Sequence, residues 1–152
     1  MERNPYAPPV SHVADPTENR GERPKQVSQA VRFLWIAFAL GIVGIFLQPV
    51  KVSAPAQWIG MLVGGVIAFG LWAWVILKIS QGRNWARMVF IVLALLGLVF
   101  SVFALPMTMP VYKARPLSGV VAIINLALEV SSLYLLLTAA ARAWFKPPQA
   151  TA

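Results

Sequence analysis

Glu129 is the residue in this chain best placed to do chemistry. It lies near the middle of the apolar run 117–141, and from residue 26 to residue 152 there is no other acid. That run is longer than the roughly 20 residues needed to cross a bilayer. A lone carboxylate at that depth is costly unless it is protonated, paired or set against a watered cavity, so Glu129 must face protein. Steps of four and three along the helix join Ser118, Ala122, Asn125, Glu129 and Ser132 into one face. Two chemistries fit such a stripe. One is a proton- or cation-responsive carboxyl beside a cavity, as a small secondary transporter requires. The other is a protonated or paired carboxyl that joins helices, with Asn125 and Ser132 hydrogen bonding across the interface. Arg32 and Arg87 enter from span ends about three turns too shallow to meet Glu129 at 1.5 Å rise per residue, and the structural role is the expected one.

The rest of the chain adds little reactive chemistry. His12 and Asp15 are the sole His and Asp, both in the N-terminal segment, and there is no cysteine. A His-activated serine, an aspartyl dyad, a thiolate site and a bis-histidine haem are therefore out of reach of the apolar part. The expectation is a protein that is not an enzyme and holds no cofactor and no metal. Met107 and Met109, with Met61, could offer thioethers to Cu(I). Without His or Cys these make a poor site, and apolar residues resting on a membrane surface are the expected reading.

With 59% hydrophobic residues, 12% charged residues and a mean hydropathy of +0.70, the chain is too apolar for a soluble domain, where charged residues run near 25%. It reads as an all-α polytopic membrane protein with spans at about 29–47, 57–79, 85–105 and 117–141. Residues 1–26 carry four of the five acids and five of the twelve prolines and read as a disordered tail. Residues 27–146 form the transmembrane domain and 147–152 a short C-terminal tail. The net charge of +8 gathers in the tail and at span ends, which suits lipid headgroups and not nucleic acid.

Between spans two and three, Gly82 suits a helix C-terminal cap and Asn84 an N-terminal cap, which predicts a tight turn between antiparallel neighbours. Trp85 fits the headgroup level, with Arg83 and Arg87 snorkelling to phosphates; an anionic-ligand site is the alternative reading of this turn. Gly60, Gly64 and Ala68 repeat at four-residue steps, the pattern that lets helices touch in lipid, and are expected to pack within the chain or, failing that, against a second copy. Gly41 and Gly44 suggest close approach on span one. Residues 106–116 read as a rigid loop bounded by prolines. Counted near the span ends, from Arg20 onward, nine basic residues fall on the side of the Gly82 turn and three on the other, so both termini are expected in the cytoplasm.

At Asn4-Pro5-Tyr6-Ala7-Pro8-Pro9 and Gly82-Arg83-Asn84-Trp85-Ala86-Arg87 the chain resembles the uncharacterised small four-span inner-membrane proteins of bacteria. The resemblance implies a multi-pass protein of the bacterial inner membrane and no particular activity. Its size is also similar to that of the small multidrug resistance transporters, whose essential glutamate lies in the first span; here that span has no acid. The expected architecture is an up-and-down antiparallel four-helix bundle. Its expected role is that of a non-enzymatic structural or accessory membrane component, in contact with lipid and with either a second copy or another membrane protein. The alternative is an oligomeric proton-coupled transporter working through Glu129.

Overall fold

The structure is a computed structural model, and it describes residues 22–47 and 54–146. The described chain is all-α: α1 (Lys25–Leu47), α2 (Pro55–Ser80), α3 (Asn84–Ala114), α4 (Pro116–Leu137) and the short α5 (Ala139–Phe145). The first four are each long and apolar enough to cross a membrane. The protein is thus a four-helix bundle of membrane-spanning helices. Most of the tail 1–26, the link after α1 and residues 147–152 lie outside the described residues, and α1 begins at Lys25.

Contacts between the helices define the up-and-down order. The start of α1 meets the end of α2 where Arg23 donates to the Ser80 carbonyl. The end of α1 meets the start of α4 where the Arg115 guanidinium donates to the Leu47 carbonyl at 3.2 Å. The pair α1 and α4 has the most extensive contact in the bundle. On α1 the buried face is Val27, Ala30, Val31, Leu34 and Ala37, the three-and-four spacing of a helix with one packed side.

Between α2 and α3 the turn forms as its residues predict. Gly82 takes φ 75°, its N–H donates to the Ile79 carbonyl at 2.9 Å, and Arg83 N–H donates to the Lys78 carbonyl at 3.0 Å. These two bonds make a Schellman motif, which needs a left-handed residue where Gly82 stands. Asn84, in contrast, is not the cap. The N-cap of α3 is Arg83, and Asn84 is the first helical residue, with its amide oxygen turned to Arg87.

Two spans differ from their expected bounds. The segment 106–116 is not a loop: α3 continues through Pro106 and Pro110 to Ala114, and Arg115 alone separates it from α4. At 31 residues, α3 is about 46 Å long against a hydrocarbon core of about 30 Å. Its proline-bearing end, where Thr108 Oγ1 donates to the Ala104 carbonyl at 3.1 Å, is the natural part to run beyond that core or to tilt. The fourth span breaks at Thr138, whose φ −62° and ψ 154° leave the helix. Its hydroxyl donates to the Leu135 carbonyl at 2.7 Å and accepts from Ala141 N–H at 3.4 Å, capping α5.

The packing is lopsided along the bundle. Fully buried large side chains, among them Val27, Leu34, Ile76, Ile79, Phe90, Leu136 and Phe145, all belong to the half nearer Gly82. In the other half, every residue of α2 from 56 to 64 is exposed, and so is most of α3 beyond Leu95.

Candidate functional site

The α4 stripe faces protein along much of its length. Ser118 and Ser132 are buried, while Ala122, Asn125 and Glu129 are half-buried. Ser118 sits at the first turn of α4 and its hydroxyl donates to the Arg115 carbonyl at 2.7 Å, closing a turn that Pro116 starts. Beside it, Gly119 lies so near α3 that an added Cβ would stand 3.2 Å from Tyr112 Cβ. This is the tight helix approach that the sequence pattern assigned to other glycines.

Glu129 and Asn125 form a pair on their own helix: the Asn125 side-chain N–H donates to Glu129 Oε1 at 3.4 Å. The other end of that amide, Asn125 Oδ1, is buried and has no hydrogen-bond partner among the described residues. Asn125 also lines a groove of about 220 Å³ between α1 and α4, with Leu40, Gly41, Gly44, Val121 and Ala122 among its walls. Gly41 and Gly44 do not bring a helix close. A Cβ at either would meet nothing within 4 Å, and their missing side chains instead leave this space. A carboxyl, an orphaned acceptor and a small apolar groove at membrane depth suit a proton or a small hydrogen-bond donor.

Of the residues expected to join helices, Ser132 does so, whereas Asn125 and Glu129 bond each other on their own helix. Ser132, with 0% of its surface exposed, reaches across to the Ala30 carbonyl at 3.4 Å while also bonding the Leu128 carbonyl at 2.8 Å. Glu129 makes no bond to another helix among the described residues. Among the described residues, Ser132 and arginines at the two ends of the bundle make polar bonds from one helix to another.

Among the expected headgroup residues, Trp85 is exposed and packs against Trp74 at a centroid separation of 5.0 Å, the rings tilted by 43°, and Arg83 is half-buried. Arg87 corrects the expectation. It is 7% exposed and does not snorkel outward. Its Nε donates to the Leu136 carbonyl at 3.0 Å, and its guanidinium lies 5.3 Å from the Phe145 ring centroid. The physical reason is the break at Thr138, which leaves the last α4 carbonyls without helical donors and folds Phe145 back as a lid. Sequence spacing alone carries a faint signal for this in Thr138 followed by Ala-rich, aromatic α5.

Gly60, Gly64 and Ala68 are exposed, and a Cβ at either glycine would meet nothing within 4 Å. The expected packing of this face within the chain is therefore not made, because α2 and its neighbours converge only toward Gly82. Met107 and Met109 are exposed on α3, and Met61 is exposed on α2.

Compared with protein-family models, curated proteins and solved structures, the chain matches none.

Proposed function

We propose that this protein is a non-enzymatic accessory component of a bacterial inner membrane, with both termini in the cytoplasm, that associates laterally through α2. The observation that carries the reading is the open Gly60, Gly64, Ala68 face. In lipid, apolar exposure alone asks for no protein partner, whereas a flat small-residue face gains from close backbone packing. The basic residues around the Gly82 end, Lys78, Arg83, Arg87 and Arg142 among them, support the orientation.

The chain has no cysteine, so single-cysteine crosslinking in native membranes is a clean test. Cysteines at Gly60 and Gly64 should crosslink, to a second copy or to another membrane protein, and cysteines at Leu62 and Val66 on the other side of α2 should not. Equal crosslinking on both sides, or none on either, would refute lateral association through this face. A reporter fused at Gly82 that is active on the outer side of the membrane would refute the orientation.

One observation favours a second reading, proton-coupled transport by an oligomer. Glu129 bonds only within its own helix among the described residues, so it is spared from joining helices. Under this reading Glu129→Gln keeps assembly and loses pH-dependent flux in proteoliposomes. Lost assembly would return Glu129 to a structural role.

A further inference from the structure

The end of α4 gathers positive charge that no described acid answers. Arg87 is buried where α3, α4 and α5 meet, with Nε on the Leu136 carbonyl at 3.0 Å and one terminal nitrogen 3.4 Å from Asn84 Oδ1. On the next carbonyl, that of Leu137, Arg142 places its own Nε at 2.8 Å, and the two cations are near enough to interact. Both arginines are anchored through Nε to neutral acceptors. That leaves terminal N–H groups over: one nitrogen of Arg87 and both of Arg142 carry no hydrogen bond among the described residues.

Electrostatics makes this arrangement incomplete. A helix C-terminus offers about half an elementary negative charge, while the two guanidiniums bring two positive ones. Glu22 and Glu129 are the acids in the described segments, and neither pairs with them. Holding like charges together, one of them buried, is costly unless an anion is near. The site also stands at the level marked by exposed Trp85 and by Trp144, over which Arg23 lies at 5.9 Å, and such tryptophans mark the depth of headgroups.

We propose that Arg87 and Arg142, fixed on consecutive carbonyls at the end of α4, form a binding site for a phosphate oxyanion, supplied by an anionic phospholipid headgroup. Guanidinium forks match phosphate oxygens in geometry as well as charge. Occupation of the site clamps α5 to the ends of α3 and α4. The site is independent of what α2 docks against.

The test uses the full chain, delipidated in neutral detergent, with its thermal unfolding midpoint followed as phosphatidylglycerol, phosphatidylcholine or inorganic phosphate is added. Phosphatidylglycerol should raise the midpoint saturably and phosphatidylcholine should not. Arg142→Gln, at an exposed position, should raise the half-saturating concentration about tenfold, the loss of one charge-assisted contact. Arg32→Gln, an equal loss of charge at an exposed site on the same end, should leave it unchanged. A matching Arg142-dependent shift with inorganic phosphate would support the oxyanion site and name the free ion as its source; a shift with the lipid alone names the headgroup. Equal effects of the two lipids, full retention in Arg142→Gln, or an equal loss in Arg32→Gln would overturn the proposal.

Discussion

Phe90→Ala and Phe103→Ala compare the same deletion on the same helix in opposite halves of the bundle. Phe90 is 1% exposed and Phe103 is 76% exposed. Because the helices stay in lipid when they separate, the water-to-oil part of a core deletion largely drops out, and what remains is lost packing. Removing the Phe90 ring empties roughly 100 Å³, which at about 24 cal/mol per Å³ of unrelaxed cavity is about 2.4 kcal/mol. The ring also lies 5.9 Å from Trp72, and losing that aromatic pair adds about 0.5 to 1.5 kcal/mol. Phe90→Ala should therefore cost about 3 kcal/mol, less whatever the site recovers by collapse. At Phe103 lipid replaces the ring, and the cost should stay within about 0.5 kcal/mol. Reversible unfolding in mixed micelles titrated with dodecyl sulfate, followed by far-UV circular dichroism and tryptophan fluorescence, measures both. Equal costs, or a larger one at Phe103, would refute a core confined to the Gly82 half.

The glycines offer a second contrast in the same assay. Gly119→Leu, facing Tyr112 at 3.2 Å, should destabilise by about 1 to 3 kcal/mol, as overpacking does, whereas Gly44→Ala meets open space and should be neutral or gain up to about 1 kcal/mol of helix propensity. Thr138→Val removes the cap of α5 and the hydroxyl bond to Leu135; it should cost about 1 kcal/mol and speed proteolysis of the segment after Leu137, read by mass spectrometry.

Much of the candidate site was legible before the fold. The four-and-three spacing of Ser118, Asn125, Glu129 and Ser132 follows from helical geometry, and lipid forbids such a stripe to face outward along its length. That Ser132 reaches across was expected from the stripe, but that Asn125 and Glu129 do not was not legible, because polar groups on one face differ in role only through what lies opposite. Ser132 meets the Ala30 carbonyl; Glu129 meets its own neighbour Asn125. The inward turn of Arg87 was hidden for the same reason, since it answers carbonyls freed by the break at Thr138, and the carbonyl it meets, that of Leu136, lies forty-nine positions further along the chain.

The amino-acid sequence by itself determined the four spans and the turn at Gly82. A bilayer accepts only long apolar runs whose backbone bonds close within the run, and a Schellman turn is set by one left-handed residue and its immediate neighbours. Tertiary structure alone decided that the core occupies one half of the bundle, that α3 runs on through Pro106 and Pro110, that Gly119 and not Gly60 or Gly64 meets a neighbour, and that Arg87 is buried. Each of these depends on where two helices cross, and a crossing is a property of paired surfaces that neither strand of residues contains alone.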